Sequence, residues 1–100
     1  NNSTMRQKYD IHEFVDVPTR QSVLSALVER VRARRKEQRL SQKQLAARSG
    51  VSYASVRRFE TEGEISLSSL MRIAQALDCL QDFEALFRTK KIVDLKEFQG

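Results

Sequence analysis

Twice in succession a serine opens and a glycine closes a short stretch of this chain: Ser41 to Gly50, then Ser52 to Gly63. Serine at a helix start accepts a hydrogen bond from a backbone N–H that has no partner inside the helix. Glycine at the end enters the left-handed conformation without the steric cost a Cβ imposes. Ser41-Gln42-Lys43-Gln44 is moreover a capping box, in which the glutamine reaches back to the serine backbone. The pattern dictates two short helices separated by a very tight turn.

The flanks extend the same reading. Leu24, Leu27, Val28 and Val31 recur at helical spacing, so a helix runs from Thr19 to about Gln38, with Thr19 or Ser22 at its start and Pro18 just before it. Continuing that apolar face by four residues lands on Arg35, a charged side chain on a core-facing line that needs a partner. In the stretch from Ser52, Val56 and Phe59 share one face, while Tyr53, Ala54, Arg57 and Arg58 lie away from it. Leu45 and Ala46 of the preceding stretch face inward. A fourth helix begins near Ser66 with Leu70, Ile73, Ala74 and Leu77 in register, and a shorter fifth carries Phe83, Leu86 and Phe87. With 100 residues, 40% of them hydrophobic, and only 3 Gly and 1 Pro, the chain suits one small helical domain with one core. Tyr9 to Val17 and Lys90 to Phe98 hold β-branched and aromatic residues without helical period; each is either a short strand, which then needs a pairing partner, or a loosely ordered tail.

Charge narrows the function. The formal balance is +5, and Arg30, Arg32, Arg34, Arg35, Lys36, Arg39, Lys43 and Arg48 face one acid, Glu37, in the same stretch. A localised basic region points to a polyanion, either nucleic acid or an acidic membrane surface. No apolar run is long enough to span a bilayer, and no leader peptide is evident at the start. One cysteine, Cys79, forms no internal disulfide, and one histidine, His12, leaves no zinc cluster. The expected compartment is the cytoplasm, and no cofactor or metal is expected. Cys79, between Leu77 and Leu80, reads as a small core residue.

Two short helices joined by a tight turn, the second exposing polar residues at its start, describe a helix-turn-helix. The first helix braces the second, which offers its N-terminal outward residues to base edges in the major groove. The run Ser41-Gln42-Lys43-Gln44-Leu45-Ala46-Ala47-Arg48-Ser49-Gly50-Val51-Ser52, with Val56, Phe59, Glu60 and Gly63, resembles the Cro and phage-repressor helix-turn-helix family, the XRE-type regulators. Ser66-Leu67, Leu70, Ile73-Ala74 and Ala76-Leu77 match that family's fourth helix, and the resemblance covers roughly residues 31 to 87.

The resemblance implies an all-α, lambda-repressor-like bundle of about five helices, with irregular or short-strand terminal segments. It also implies roles. Gln42 matches a position that contacts phosphate and supports a base-reading residue. Tyr53, Ala54 and Arg58 match positions facing base edges. Ser52, Ser55 and Arg57 stand where phosphate or neighbouring base contacts are made, and Lys43 and Arg34 are backbone-contact candidates. Arg35 and Glu60 match an ion pair between the first and third helices. Two departures stand out. Asp78 occupies a place where glycine usually follows the fourth helix, and Tyr53 is bulky for a base-facing position, suited to stacking on sugar or thymine.

The domain reading is an N-terminal arm over 1–18, partly extraneous or flexible, a DNA-binding domain over 19–88, and a tail over 89–100 available for dimer or partner contact. The expected partners are double-stranded DNA and a second copy of the chain, since one reading helix covers few base pairs. Three readings compete. The first is a stand-alone repressor acting as a homodimer. The second is an antitoxin, similar to the HipB type, that represses its own operon and restrains a kinase toxin. The third is a protein-interaction module that has kept the fold; its signature is a neutral or acidic third helix, whereas this one carries Arg57 and Arg58. An enzyme is not indicated: there is no nucleophile–base pair, no carboxylate pair in an apolar site and no phosphate-cradling glycine loop.

Overall fold

A computed structural model of the protein describes residues 17–92. Most of the strand-or-tail segments, with His12, lie outside the described residues; the parts that fall inside, Val17 and Lys90 to Ile92, form no strand.

Each helix begins where a hydroxyl cap places it. Helix α1 spans Arg20–Glu37. Ser22 N donates to Thr19 Oγ1 at 3.0 Å and Thr19 N to Ser22 Oγ at 3.0 Å, so the two candidate caps act together as one box. Helix α2 spans Gln42–Ser49, with Gln44 N on Ser41 Oγ at 3.0 Å and Ser41 N on Gln44 Oε1 at 2.8 Å. Helix α3 spans Tyr53–Glu62 behind Ser52, whose Oγ accepts from Ser55 N at 3.0 Å. Helix α4 spans Leu67–Ala76 behind Ser66, which accepts from Ser69 N at 3.0 Å.

All four helices are followed by a residue in the left-handed region: Arg39, Gly50, Gly63 and Asp78, with φ of 59°, 75°, 73° and 61°. At Gly50 a Cβ would meet open space, so backbone conformation alone asks for glycine there. At Gly63 a Cβ would also lie 2.9 Å from Leu24 Cδ2 of α1. Asp78, in place of the usual glycine, adopts the same left-handed turn, and Cys79 N then closes on Ala74 O at 2.7 Å.

The helices meet around two joined groups of buried side chains. Leu40, Leu45, Ala46, Val51, Val56, Ile73 and Leu77 form one, with Cys79 packed at its edge. Val28, Phe59 and Leu70 form the other, flanked by Leu27 and Phe83. Val31 and Ile65 touch both groups, so the core is continuous across α1, α3 and α4. Gln38 Nε2 donates to Leu77 O at 2.8 Å, which ties the end of α1 to the end of α4. Burial pushes the Cys79 thiol up, with Asp82 adding to the effect, so it stays protonated as a core-edge residue should.

The fifth element differs from its sequence reading. It is a 3-10 helix over Leu80–Ala85, with no side-chain cap at Cys79. It stops before Leu86, and Phe87 turns to φ 61° and is 99% exposed. Of its three apolar residues, read as a mixture of core and dimer interface, Phe83 packs into the domain while Leu86 and Phe87 are exposed. Six residues give too few turns for their period to distinguish a 3-10 from an α-helix.

Candidate nucleic-acid interface

The inner face of α3 is fixed by two essentially inaccessible side chains, Val56 against Leu45 and Ala46 of α2 and Phe59 against Val28 of α1 and Leu70 of α4. Helical period then forces Tyr53, Ala54, Arg57 and Arg58 to the opposite side, and all four are exposed. Ser52 is exposed as well, whereas Ser55 is half-buried and accepts a hydrogen bond from Ser52 Oγ at 2.8 Å. Neither α2 nor α3 has an acid in its first turn. Their N-terminal ends therefore present partial positive charge without local cancellation.

Tyr53 is an organiser of this face. Lys43 Nζ from α2 lies 5.4 Å from its ring centroid, and Arg57 Cζ, one turn further along α3, lies 5.5 Å away. Both distances are within cation–π range. One ring thus gathers a cation from each helix.

The two helices are also joined from below. Arg35 Nε donates to Glu60 Oε2 at 2.8 Å and Arg35 Nη2 to Oε1 at 2.9 Å, a two-pronged pair. Arg35 Nη1 donates to Leu40 O at 2.9 Å. The side chains are 10% and 2% exposed. Gln42 Nε2 adds a third hydrogen bond to Glu60, on Oε1 at 2.9 Å. Arg32 Nε is buried 3.6 Å from the same oxygen, beyond hydrogen-bond reach. Burial alone would push the Glu60 carboxyl up. The hydrogen bonds from Arg35 and Gln42, with the charges of Arg35 and Arg32, outweigh it and hold the group below the ordinary carboxylate range. One carboxylate on α3 thereby fixes α1 and the first residue of α2.

Arg58 has partners of its own. Its Nη2 donates to Glu64 Oε1, and its Nε lies 3.9 Å from Glu62 Oε2. Arg34 pairs with Glu37 at 2.6 Å.

A helix-turn-helix family model matches residues 31–80, half of the chain. The chain belongs to the helix-turn-helix family. As an XRE-type helix-turn-helix protein it is a DNA-binding regulator. The helix-turn-helix match takes in Arg35, Gln42, the exposed face of α3 and Glu60, and it ends at Leu80, where the 3-10 helix begins. No curated protein and no solved structure matches the chain. Among the described residues no three His, Cys, Asp or Glu side chains gather to hold a metal ion, and no helix is long and apolar enough to cross a membrane.

The structure brings Lys43, Tyr53 and Arg57 together, and Arg35, Gln42 and Glu60 together, from the residues singled out in the sequence. Sequence reasoning missed Arg32, Glu62 and Glu64. A signal existed for Glu62, four residues after Arg58 on one helix face. For Glu64 there was none, because its position depends on the left-handed turn at Gly63.

Proposed function

We propose that this helix-turn-helix protein reads an operator in double-stranded DNA as a homodimer and represses transcription from it. Helix α3 enters the major groove N-terminus first, with Tyr53, Ala54 and Arg58 toward base edges. Gln42, Lys43, Ser52, Ser55 and Arg57 face the phosphates on either side. The observation that carries the reading is the exposed α3 face, held rigid by a buried opposite face and by the Glu60 network. The phosphate-contact role of Gln42 is supported by its place at the positive end of α2, where its amide is held by Glu60.

A second copy of the chain is supported by a cleft of about 620 Å³ between α1, α4 and the 3-10 helix, lined by Val23, Leu27, Leu70, Leu77, Phe83 and Leu86. Phe87 stands next to it, fully exposed. Joining two copies puts two reading helices on half-sites about 34 Å apart, as palindromic operators require.

The antitoxin reading keeps the same DNA face and adds a kinase-type toxin as partner. It is favoured by Leu67 and Met71, four residues apart on α4 and both exposed, which form an apolar surface that the cleft does not use. Co-purification of a toxin with the chain separates the two readings.

Selection of bound duplexes from a random pool tests DNA reading directly. A palindromic consensus supports operator binding by a dimer. Arg58→Ala then weakens the selected duplex by about 1–3 kcal/mol and relaxes the sequence at one position per half-site. Failure to retain any duplex at low ionic strength refutes the proposal.

A further inference from the structure

Arg58 stands on the reading face, yet its charge is more than cancelled on the spot. Glu62 lies one turn along α3, and Glu64 is carried back over the helix end by the left-handed Gly63. All three side chains are accessible, at 61%, 60% and 58%. The downstream part of the reading face therefore carries two carboxylates around one guanidinium, in a protein whose partner is a polyanion. An ion pair this exposed adds little to folding, so its consequence is to be sought in what the guanidinium touches next.

The exchange on DNA depends on what replaces Glu64. A phosphate offers Arg58 another screened single-charge contact, nearly equivalent to the one given up, while Glu64 is left unpaired beside the backbone. That exchange is unfavourable. A guanine edge offers two acceptors in a geometry that matches the guanidinium fork, and that exchange is favourable. We propose that Glu62 and Glu64 are specificity determinants, which hold Arg58 off the phosphate backbone so that only a base edge with two acceptors draws it out. The proposal rests on the DNA-binding reading above and assigns a positioning role to two acidic residues at the downstream end of the reading face.

The test compares two duplexes: one of mixed sequence, and the one the wild-type chain selects from a random pool. Binding of the full chain is followed by fluorescence anisotropy over a range of salt concentrations. Glu64→Gln is expected to tighten binding to the mixed duplex about three- to tenfold and to steepen its salt dependence by about one phosphate equivalent. The selected duplex gains less, so discrimination between the two falls. Glu62→Gln shifts the same way by a smaller factor, since its contact with Arg58 is the longer one. In an Arg58→Ala background the gain from Glu64→Gln disappears, because the effect runs through that side chain. Equal tightening on both duplexes, or a gain that survives Arg58→Ala, shows a bulk charge effect and overturns the proposal. If the wild-type chain binds neither duplex, the DNA-binding reading falls and takes the role of Glu62 and Glu64 with it.

Discussion

Glu60→Ala is the most informative single change. It removes three hydrogen bonds, two to Arg35 and one to Gln42, and leaves Arg35 with the Leu40 carbonyl as its remaining partner. Because the Arg35 side chain is 10% exposed, water does not replace what is lost. An uncompensated buried charge costs about 3–5 kcal/mol, against about 1 kcal/mol or less for an exposed pair. At about 4–8 °C per kcal/mol for a domain of this size, the melting temperature should fall by at least about 12 °C. Differential scanning calorimetry measures it. The pair differs from a simple packing contact in a further respect: replacing both partners by apolar residues, Arg35→Met with Glu60→Leu, should recover much of the loss. Acid adds an independent check. The folded state holds the Glu60 carboxyl below its ordinary value of 4.5, so its contribution is fully present above that pH and is lost as pH falls through the lower folded value. The stability gap between wild type and Glu60→Gln should thus be flat above about pH 4.5 and shrink below it. A fall of only a few degrees in Glu60→Ala, or a gap that does not change with acid, refutes the network as described.

Three further changes probe the turns and the reading face. Gly50→Ala should cost about 1 kcal/mol from its left-handed backbone alone, and Gly63→Ala roughly 1 kcal/mol more from contact with Leu24; equal losses by chemical denaturation count against the Leu24 contact. Asp78→Gly should raise stability by about 0.5–1 kcal/mol by relieving the left-handed turn, and an unchanged denaturation midpoint contradicts this. Tyr53→Leu should weaken duplex binding several-fold by releasing Lys43 and Arg57, while Tyr53→Phe stays near wild type; equal losses in an anisotropy titration assign the role to the hydroxyl instead.

The parts legible in the sequence are those set by short-range chemistry. Serine caps and glycine stops located α2 and α3 closely, because a cap and its partner lie three residues apart on the chain. The sorting of α3 into Val56 and Phe59 against Tyr53, Arg57 and Arg58 followed from the helical period. Arg35 announced its need of a partner by interrupting an apolar face, but Glu60 came only through resemblance, since the two lie 25 residues apart. What stayed hidden depends on the third dimension. Gln42 looked like a free phosphate contact, yet its amide is held by Glu60, which the packing of α2 on α3 brings within reach. Tyr53 looked suited to stacking on DNA, yet cations from two helices already gather at its ring. Leu86 and Phe87 looked like a continued helical face, yet the chain leaves the 3-10 helix before reaching them.

The four left-handed residues that follow the helices have an evolutionary corollary. Such a corner has one geometry, with no slack to absorb a change in the length of the helix before it. A single inserted residue in α2 would rotate everything beyond it by about 100° and carry the cationic ridge of α3 away from the direction the rest of the scaffold presents. Length variation among descendants of this chain should therefore concentrate outside Thr19 to Cys79, whereas between those points lineages can diverge by substitution but hardly by insertion or deletion.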